Sequence, residues 1–218
     1  MKATDLLGHS GDPFADGRGF IQLVACSQYL DGMSDEEFIA WTLDRRGDGR
    51  MKILQDVARA GTHHMKNWEF PTLTFYCNLP GIAWRHIMPY RLRTISQRAS
   101  KRVYPPYEFP DDYWIHPQFT DQQKIKVKAM FQTSQLNYER LVSDGVRPQD
   151  ARIVLPQLAL YDARFWKMDS KAWRHFLEQR LPPDAQYPVR QVARCIYDNF
   201  YKKIFTHTEQ TTPIFDST

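Results

Sequence analysis

The order of the predicted secondary-structure elements is the strongest constraint on what this chain can fold into. Apolar stretches rich in β-branched and aromatic residues predict strands near the N-terminus, GFIQLVAC at 19–26 and PTLTFYCNL at 71–79. Beyond the middle of the chain helical spacing predominates, and a long helix begins at Thr120, whose capping box includes Gln123. Because strands come early and helices late, rather than alternating, the sequence predicts an α+β fold.

Start and stop signals bound the predicted helices. Pro89 lacks an N–H and crowds the preceding turn, so it ends or kinks the helix before it. Asp144-Gly145 stops the long helix that the capping box opens, Pro148 suits the first turn of the next, and Asp169 or Ser170 caps the one after. The predicted helices cover about 34–44, 50–61, 82–88, 121–143, 148–155, 170–179 and 186–204.

Length and charge limit the classes of protein to be considered. A chain of 218 residues with 42% hydrophobic residues suits a single domain with a sizeable core, expected over 1–218. About 15 residues at the N-terminus and about 12 at the C-terminus are expected to be peripheral. The net charge of +4 is too small to indicate wholesale nucleic-acid binding, so local basic segments matter more than the total.

Cysteine usage and hydropathy bear on the compartment. Cys26, Cys77 and Cys195 are far apart and form no C-x-x-C pair, so we expect buried reduced thiols and no metal site. The chain has no run of 18 apolar residues that could span a membrane. Its N-terminus lacks the apolar core of a signal peptide. The expected location is cytoplasmic, with no membrane partner.

A basic segment, PYRLRTISQRASKRVYPPY at 89–107, is the first functional feature. It carries five Lys or Arg and three Ser or Thr, and no acid occurs between Glu69 and Glu108. Because a solvated surface normally mixes both signs of charge, this segment favours an anionic ligand. Arginine supplies forked donors that fit phosphate. A plain basic surface loop and an RNA-binding arm remain alternatives.

Two further motifs carry chemistry. In GTHHMKNWEF at 61–70, His63, His64 and Glu69 are a weak metal signal, and structural or hydrogen-bonding roles are favoured. Arg152 lies in the apolar run ARIVLP, where a charge needs a partner from the protein or a ligand. Arg180 and Arg190 flank a Pro-rich turn and could converge with Arg152 on one anion.

Together these segments resemble the flavin-dependent thymidylate synthase family over about residues 19 to 200. His64 and Glu69 match the family's upstream segment, which leads into the strand at 73–75. Residues 151–156 match its Ala-Arg-x-x-Leu-Pro motif throughout. Downstream, the segments that lead to Arg180 and to Arg190 follow in the family's order.

The family's Arg-His-Arg signature is altered in this chain. His86 replaces a Gln, and Pro89-Tyr90-Arg91 stand where Arg-His-Arg is expected. Ser100 and Arg102 occupy the places of the signature's last Ser and Arg after one extra residue. The chain therefore resembles a divergent member, in which flavin geometry and folate handling are the most affected.

The resemblance implies a set of site residues. Arg190 is expected to be catalytic, because it would sit against the uracil carbonyl and stabilise charge developing on the ring. Ser100 and Arg102 would hold the nucleotide phosphate, and Arg152 would reach the nucleotide from a neighbouring subunit. The full implied substrate set is His86, Gln97, Ser100, Arg102, Arg152 and Arg190. The full implied cofactor set is His64, Glu69, Arg91, Arg93, Glu178 and Arg180.

The resemblance also implies a fold and an activity. The fold would be a small, mostly antiparallel sheet packed with long helices, in a homotetramer that binds FAD between subunits. The activity would be C5 methylation of dUMP or UMP, with methylenetetrahydrofolate and NADPH as co-substrates and reduced FAD as hydride source. A nucleotide 5-hydroxymethylase, a non-catalytic nucleotide- or RNA-binding protein and a plain structural homologue remain alternatives, because the signature is altered.

Overall fold

The computed structural model describes residues 6–27, 72–90, 93–97 and 109–204. Within them a five-stranded antiparallel sheet has the strand order β1-β2-β3-β5-β4. Helices pack against this sheet, so the predicted α+β class is confirmed. The strands are β1 Ser10–Gly11, β2 Phe20–Ser27, β3 Thr72–Pro80, β4 Thr94–Gln97 and β5 Tyr161–Asp169.

Helices occupy most of the described C-terminal part. They are α1 Gly81–Ile87, α2 Asp121–Ser143, α3 Pro148–Ala151, α4 Ser170–Arg180, α5 Tyr187–Ile196 and α6 Lys202–Ile204. A 3₁₀ turn at Arg152–Val154 follows α3, and a π-helical turn at Tyr197–Tyr201 joins α5 to α6. No helix in these described ranges is long and apolar enough to cross a membrane.

Alternation along β3 explains which face of the sheet is covered. Leu73, Phe75, Cys77 and Leu79 are at most 2% exposed, whereas the residues between them are half-buried. Successive side chains of a strand point to opposite faces, so these four define one covered face. Phe75 contacts Trp173 of α4 with ring centroids 5.1 Å apart, which places that helix on this face.

The predicted start of α2 is confirmed by its capping geometry. Thr120 Oγ1 accepts from the Gln123 backbone N–H at 3.3 Å, and Gln123 Oε1 accepts from the Thr120 N–H at 2.8 Å. Two otherwise unpaired N–H groups of the first turn are thereby satisfied. At the other end Gly145 has φ +86°, a left-handed conformation that favours glycine and terminates the helix.

The helix predicted over 148–155 is shorter than expected. It is α-helical only over Pro148–Ala151 and tightens into the 3₁₀ turn that follows. Leu155 precedes Pro156 and adopts an extended conformation, φ −82° and ψ 144°, as residues before proline do. The last predicted helix, 186–204, is interrupted by the π-helical turn. The predicted helices at 34–44 and 50–61 lie outside the described residues.

Strands β1, β4 and β5 were not predicted from the sequence. β5 is central in the sheet and pairs with β3 over nine residues, from Thr72↔Asp169 to Pro80↔Tyr161. Its covered face carries the charged residues Asp162 and Arg164 beside Trp166, and these charges break the apolar alternation that would have indicated a strand.

A second, smaller core lies beside the sheet. It contains Tyr113, Tyr138, Ala151, Leu155 and Leu160, and α2 packs there. The larger core, on the covered face of the sheet, also includes Leu6 and Phe14. Both belong to the N-terminal segment that was expected to be peripheral.

The cysteines are poor nucleophile candidates in this fold. Cys77 and Cys195 are buried and Cys26 is half-buried. Burial raises the pKa of the Cys77 thiol well above its ordinary value and raises the pKa of Cys195 to about 11. Because the thiolate is the reactive form, both buried thiols are inert at neutral pH.

Replacing the cap of α2 tests its contribution to stability. We expect Thr120→Ala to lower the free energy of unfolding by about 1 kcal/mol, because the capping box loses its acceptor. Thr133→Ala in the same helix is the matched control. Its exposed hydroxyl only bonds back to the Ala129 carbonyl at 2.9 Å, so we expect no loss. Equal effects of the two substitutions in urea denaturation would contradict this assignment.

Candidate functional site

The C-terminal end of α1 gathers polar side chains from separate parts of the chain. We call this group the α1-end cluster. Several of its members were implied as site residues by the sequence, and the fold brings them together although up to about 100 positions separate them along the chain. The members are His86, Met88, Tyr90, Arg93, Arg164, Gln179, Arg180, Gln186 and Arg190.

His86 joins α1 to the start of α5. Its Nε2 lies 2.6 Å from Oε1 of Gln186, the N-cap residue of α5. An amide oxygen only accepts, so His86 donates through Nε2 in this contact. The Nδ1 atom is then the ring's acceptor when the imidazole is neutral.

Arg190 lies one turn into α5, next to this contact. Its backbone N–H donates to the Gln186 carbonyl at 3.0 Å. Its guanidinium donates to the Pro183 carbonyl in the turn between α4 and α5. Gln186 therefore contacts His86 through its side-chain amide and the Arg190 backbone through its carbonyl.

Tyr90 organises the other half of the cluster. Its ring packs edge-on against Phe176 of α4, with centroids 5.2 Å apart, and the guanidinium carbon of Arg180 lies 5.5 Å from the ring centroid. The Tyr90 carbonyl accepts from Arg93, and the Tyr90 hydroxyl makes a long contact of 3.5 Å with Gln179. Burial raises the pKa of Tyr90, and Arg180 acts in the opposite direction, so the phenol stays protonated at neutral pH.

Three arginines of the cluster have a donor with no partner. The Nε atoms of Arg93, Arg180 and Arg190 are buried and lack a hydrogen-bond partner among the residues that the structure describes. Leaving such a donor unsatisfied costs about 1–3 kcal/mol, and more when the group is charged. Ligand oxygens that accept from these atoms would remove that cost. The cluster therefore fits a ligand rich in carbonyl or phosphate oxygens.

Two other implied residues lie apart from this arrangement. Arg152 belongs to the 3₁₀ turn beside the second core, and no contact in the described ranges links its side chain to the cluster. The segment after it docks on the N-terminal end of α1, where Gly81 donates to the Leu160 carbonyl at 2.9 Å. Glu178 pairs with Arg174 on α4 at 2.8 Å, so its carboxylate is already engaged.

The remaining implied residues are not placed. His64, Glu69, Arg91, Ser100 and Arg102 lie outside the described residues. The Gln97 backbone ends β4 opposite Arg164, but its side chain also lies outside them. Among the described residues, no group of three His, Cys, Asp or Glu side chains is arranged to hold a metal ion.

Sequence reasoning missed Arg164. Its Nε and Nη2 both donate to Asp162 Oδ2, at 2.8 and 2.6 Å, and its guanidinium lies 5.2 Å from the Trp84 ring centroid. The signal was present: Asp162 and Arg164 are two positions apart, which places them on one face of a strand. Charges on that covered face required partners.

Comparison with known proteins agrees with this fold. The family profile described as "Thymidylate synthase complementing protein" matches residues 24–204. A flavin-dependent thymidylate synthase from Thermus thermophilus is 26% identical over 196 residues, which cover 82% of this chain and 70% of that protein. One from Thermotoga neapolitana is 28% identical over 156 residues, covering 70% and 71% respectively.

A third relative, of lower identity, matches a similar share of this chain. The flavin-dependent thymidylate synthase of Dictyostelium discoideum is 22% identical over 180 residues, which cover 69% of this chain and 56% of that protein. The matched span contains all of the α1-end cluster. The resemblance inferred from the motifs is thus confirmed, and the chain belongs to the flavin-dependent thymidylate synthase family.

Proposed function

We propose that this protein methylates C5 of a uridine monophosphate, converting dUMP to dTMP, with FAD as its flavin and methylenetetrahydrofolate as carbon donor. NADPH is the proposed reductant. The observation that carries the proposal is that three arginines of the α1-end cluster have a buried Nε without a partner among the described residues, inside the span that matches the family. The flavin-dependent relatives make a flavin and a uridine nucleotide the ligands to test first.

Arg190 is the proposed catalytic residue. Its guanidinium is tethered to the Pro183 carbonyl, which leaves the buried Nε and the other terminal nitrogen for a substrate. Negative charge develops on the uracil carbonyls when C5 is attacked, and a fixed cationic donor stabilises it without reorganisation. His86 and Gln186 hold the first turn of α5 in position. They complete the part of the proposed site that receives the pyrimidine ring.

Arg93 and Arg180 are the proposed contacts to the flavin. Both have a buried Nε without a described partner, and both contact Tyr90, through its carbonyl and its ring respectively. The flavin ring and its pyrophosphate present carbonyl and phosphate oxygens that such donors fit. When bound, the reduced flavin supplies the hydride, and these side chains orient it and exclude water.

Assembly into a homotetramer is part of the proposal. Ile125 and Leu136 on α2 are 66% and 58% exposed, and they lie about three helical turns apart on one side. Ile153, next to Arg152, is 85% exposed. Exposed apolar surface of this kind marks protein interfaces. A neighbouring subunit docked there would carry its own Arg152 toward a site that one chain does not complete.

One observation favours a second candidate, a nucleotide- or RNA-binding protein that performs no methylation. Tyr90 takes the place of the signature's histidine and fills space against His175 and Phe176 of α4. A bulky ring at this position would leave less room for a flavin, while Arg190 would stay available to a nucleotide. UMP as substrate and a 5-hydroxymethyl product are variants of the first candidate.

Cofactor content and turnover separate these candidates. We expect purified protein incubated with FAD to retain a flavin absorption band. With NADPH and methylenetetrahydrofolate it should convert dUMP to dTMP, detected by mass analysis after a single turnover. Parallel reactions with UMP and dCMP define the nucleotide, and the product mass distinguishes methyl from hydroxymethyl. Protein that binds dUMP yet stays colourless in excess FAD would favour the second candidate.

Arg190→Gln tests the catalytic assignment. We expect kcat to fall about 10²- to 10³-fold, because a preorganised donor to the developing charge is lost. The dissociation constant for dUMP should change much less. Arg194→Gln is the matched control: it removes the same charge one turn later on α5, at an exposed position. An unchanged kcat in Arg190→Gln protein of normal melting temperature would rule out this role.

Tyr90 variants test how the flavin side is built. Tyr90→Phe keeps the ring under Arg180 and removes the hydroxyl, which interacts with Arg180 and makes the long contact to Gln179, so FAD affinity should stay within about threefold if the ring positions Arg180. Tyr90→Ala removes the ring and should weaken FAD binding by about tenfold or more. Flavin fluorescence titration measures both. Equal weakening in the two variants would show that the hydroxyl, not the ring, positions Arg180.

A further inference from the structure

We propose that Arg164 joins Arg93 in a phosphate-binding clamp around Met88; neither the sequence motifs nor the family match assigns Arg164 to a site. We call these three residues the Met88 clamp. The inference deepens the proposed function, on which it rests, because the phosphate belongs to the nucleotide substrate or to the dinucleotide cofactor.

Two guanidinium groups meet at one weak acceptor in this clamp. Nη2 of Arg93 and Nη1 of Arg164 each lie 3.8 Å from the Met88 sulfur. The two nitrogens are therefore no more than twice that distance apart. A thioether is a weak hydrogen-bond acceptor and carries no charge, so it does not balance two cations. A phosphate group placed there would accept from both and offset their charge.

Several contacts fix the position of the Arg164 guanidinium. Asp162, which is 7% exposed, engages its Nε and Nη2, and Trp84 lies beneath its guanidinium. Trp84 in turn donates through Nε1 to the Asp162 carbonyl at 2.8 Å. These contacts leave Nη1 directed at Met88. Preorganised donors lose little conformational entropy when a ligand binds.

The charge around the clamp is positive. Arg180 lies over the ring of Tyr90, whose carbonyl accepts from Arg93, so three guanidiniums converge on the short stretch from Met88 to Tyr90. Among the described residues, Asp162 is the acid that contacts them. Among the residues that the structure describes, these contacts set one carboxylate against three guanidiniums, a balance that favours a phosphate dianion or a pyrophosphate as ligand.

Ligand access to the clamp is open. Met88 is 43% exposed, and its flexible side chain can turn aside when an anion enters. Pro89, the next residue, stands where the family signature has an arginine. Arg164 thus brings a guanidinium from β5 to the stretch in which Pro89 replaces that arginine.

A charge-balanced double variant tests the clamp. Asp162→Asn with Arg164→Gln removes both members of this ion pair together. Lys167→Gln is the matched control, since it removes a cation from β5 on the opposite face of the sheet. Dissociation constants are measured for FAD, riboflavin and dUMP, and the melting temperature is measured with inorganic pyrophosphate.

The expected result is a phosphate-specific loss. The double variant should bind FAD about tenfold or more weakly while riboflavin, which has no phosphate, changes less than twofold. A loss confined to dUMP would assign the clamp to the substrate phosphate instead, which also supports it. Equal losses for FAD and riboflavin, or no loss for any phosphorylated ligand, would overturn the clamp.

A second variant provides a test that does not depend on folding of the double variant. Met88→Glu places a carboxylate between the two guanidiniums, so it should raise the melting temperature relative to Met88→Gln and remove the stabilisation by pyrophosphate. If wild-type protein binds neither flavin nor dUMP, the proposed function is wrong. The pyrophosphate measurement then still tests the clamp. Unchanged pyrophosphate stabilisation in both Met88→Glu and the double variant would overturn it.

Discussion

Trp166 of β5 connects the sheet to both helices whose ends form the site. Its ring contacts Trp84 of α1 at 6.1 Å, Trp173 of α4 at 4.4 Å and Phe176 of α4 at 5.0 Å. The residue is completely buried. Aromatic contacts of this kind bury large areas and prefer particular angles, so they fix position as well as contributing stability. This ring therefore helps to fix the relative placement of α1 and α4.

Contacts with that core determine the positions of the side chains in the α1-end cluster. Phe176, which packs on Trp166, also packs on Tyr90, and Tyr90 lies next to Arg180 and Arg93. The chain of contacts runs from buried aromatic rings to half-buried guanidiniums without a flexible link. A change in the aromatic core should consequently reach the ligand side. Residues that never contact a ligand would then alter affinity through the position of Arg180.

Local signals in the sequence were sufficient for part of this structure. The capping box at Thr120 and the β-branched and aromatic composition of β3 are local signals, and both elements were predicted where they occur. Strand β5 was not, because Asp162 and Arg164 interrupt its apolar face, and only a tertiary partner makes them tolerable there. The motifs indicated His86 and Arg190, but no spacing rule predicts that Gln186 would join them.

The unpartnered donors tie the site to the stability of the whole fold. Three buried Nε atoms without described partners, at about 1–3 kcal/mol each, amount to a large fraction of the 5–15 kcal/mol that stabilises a typical domain. A ligand that accepts from them both gains binding energy and removes a cost already present in the ligand-free protein. Under the proposed function, this linkage would offset the cost of three half-buried guanidiniums whose Nε atoms have no partner among the described residues.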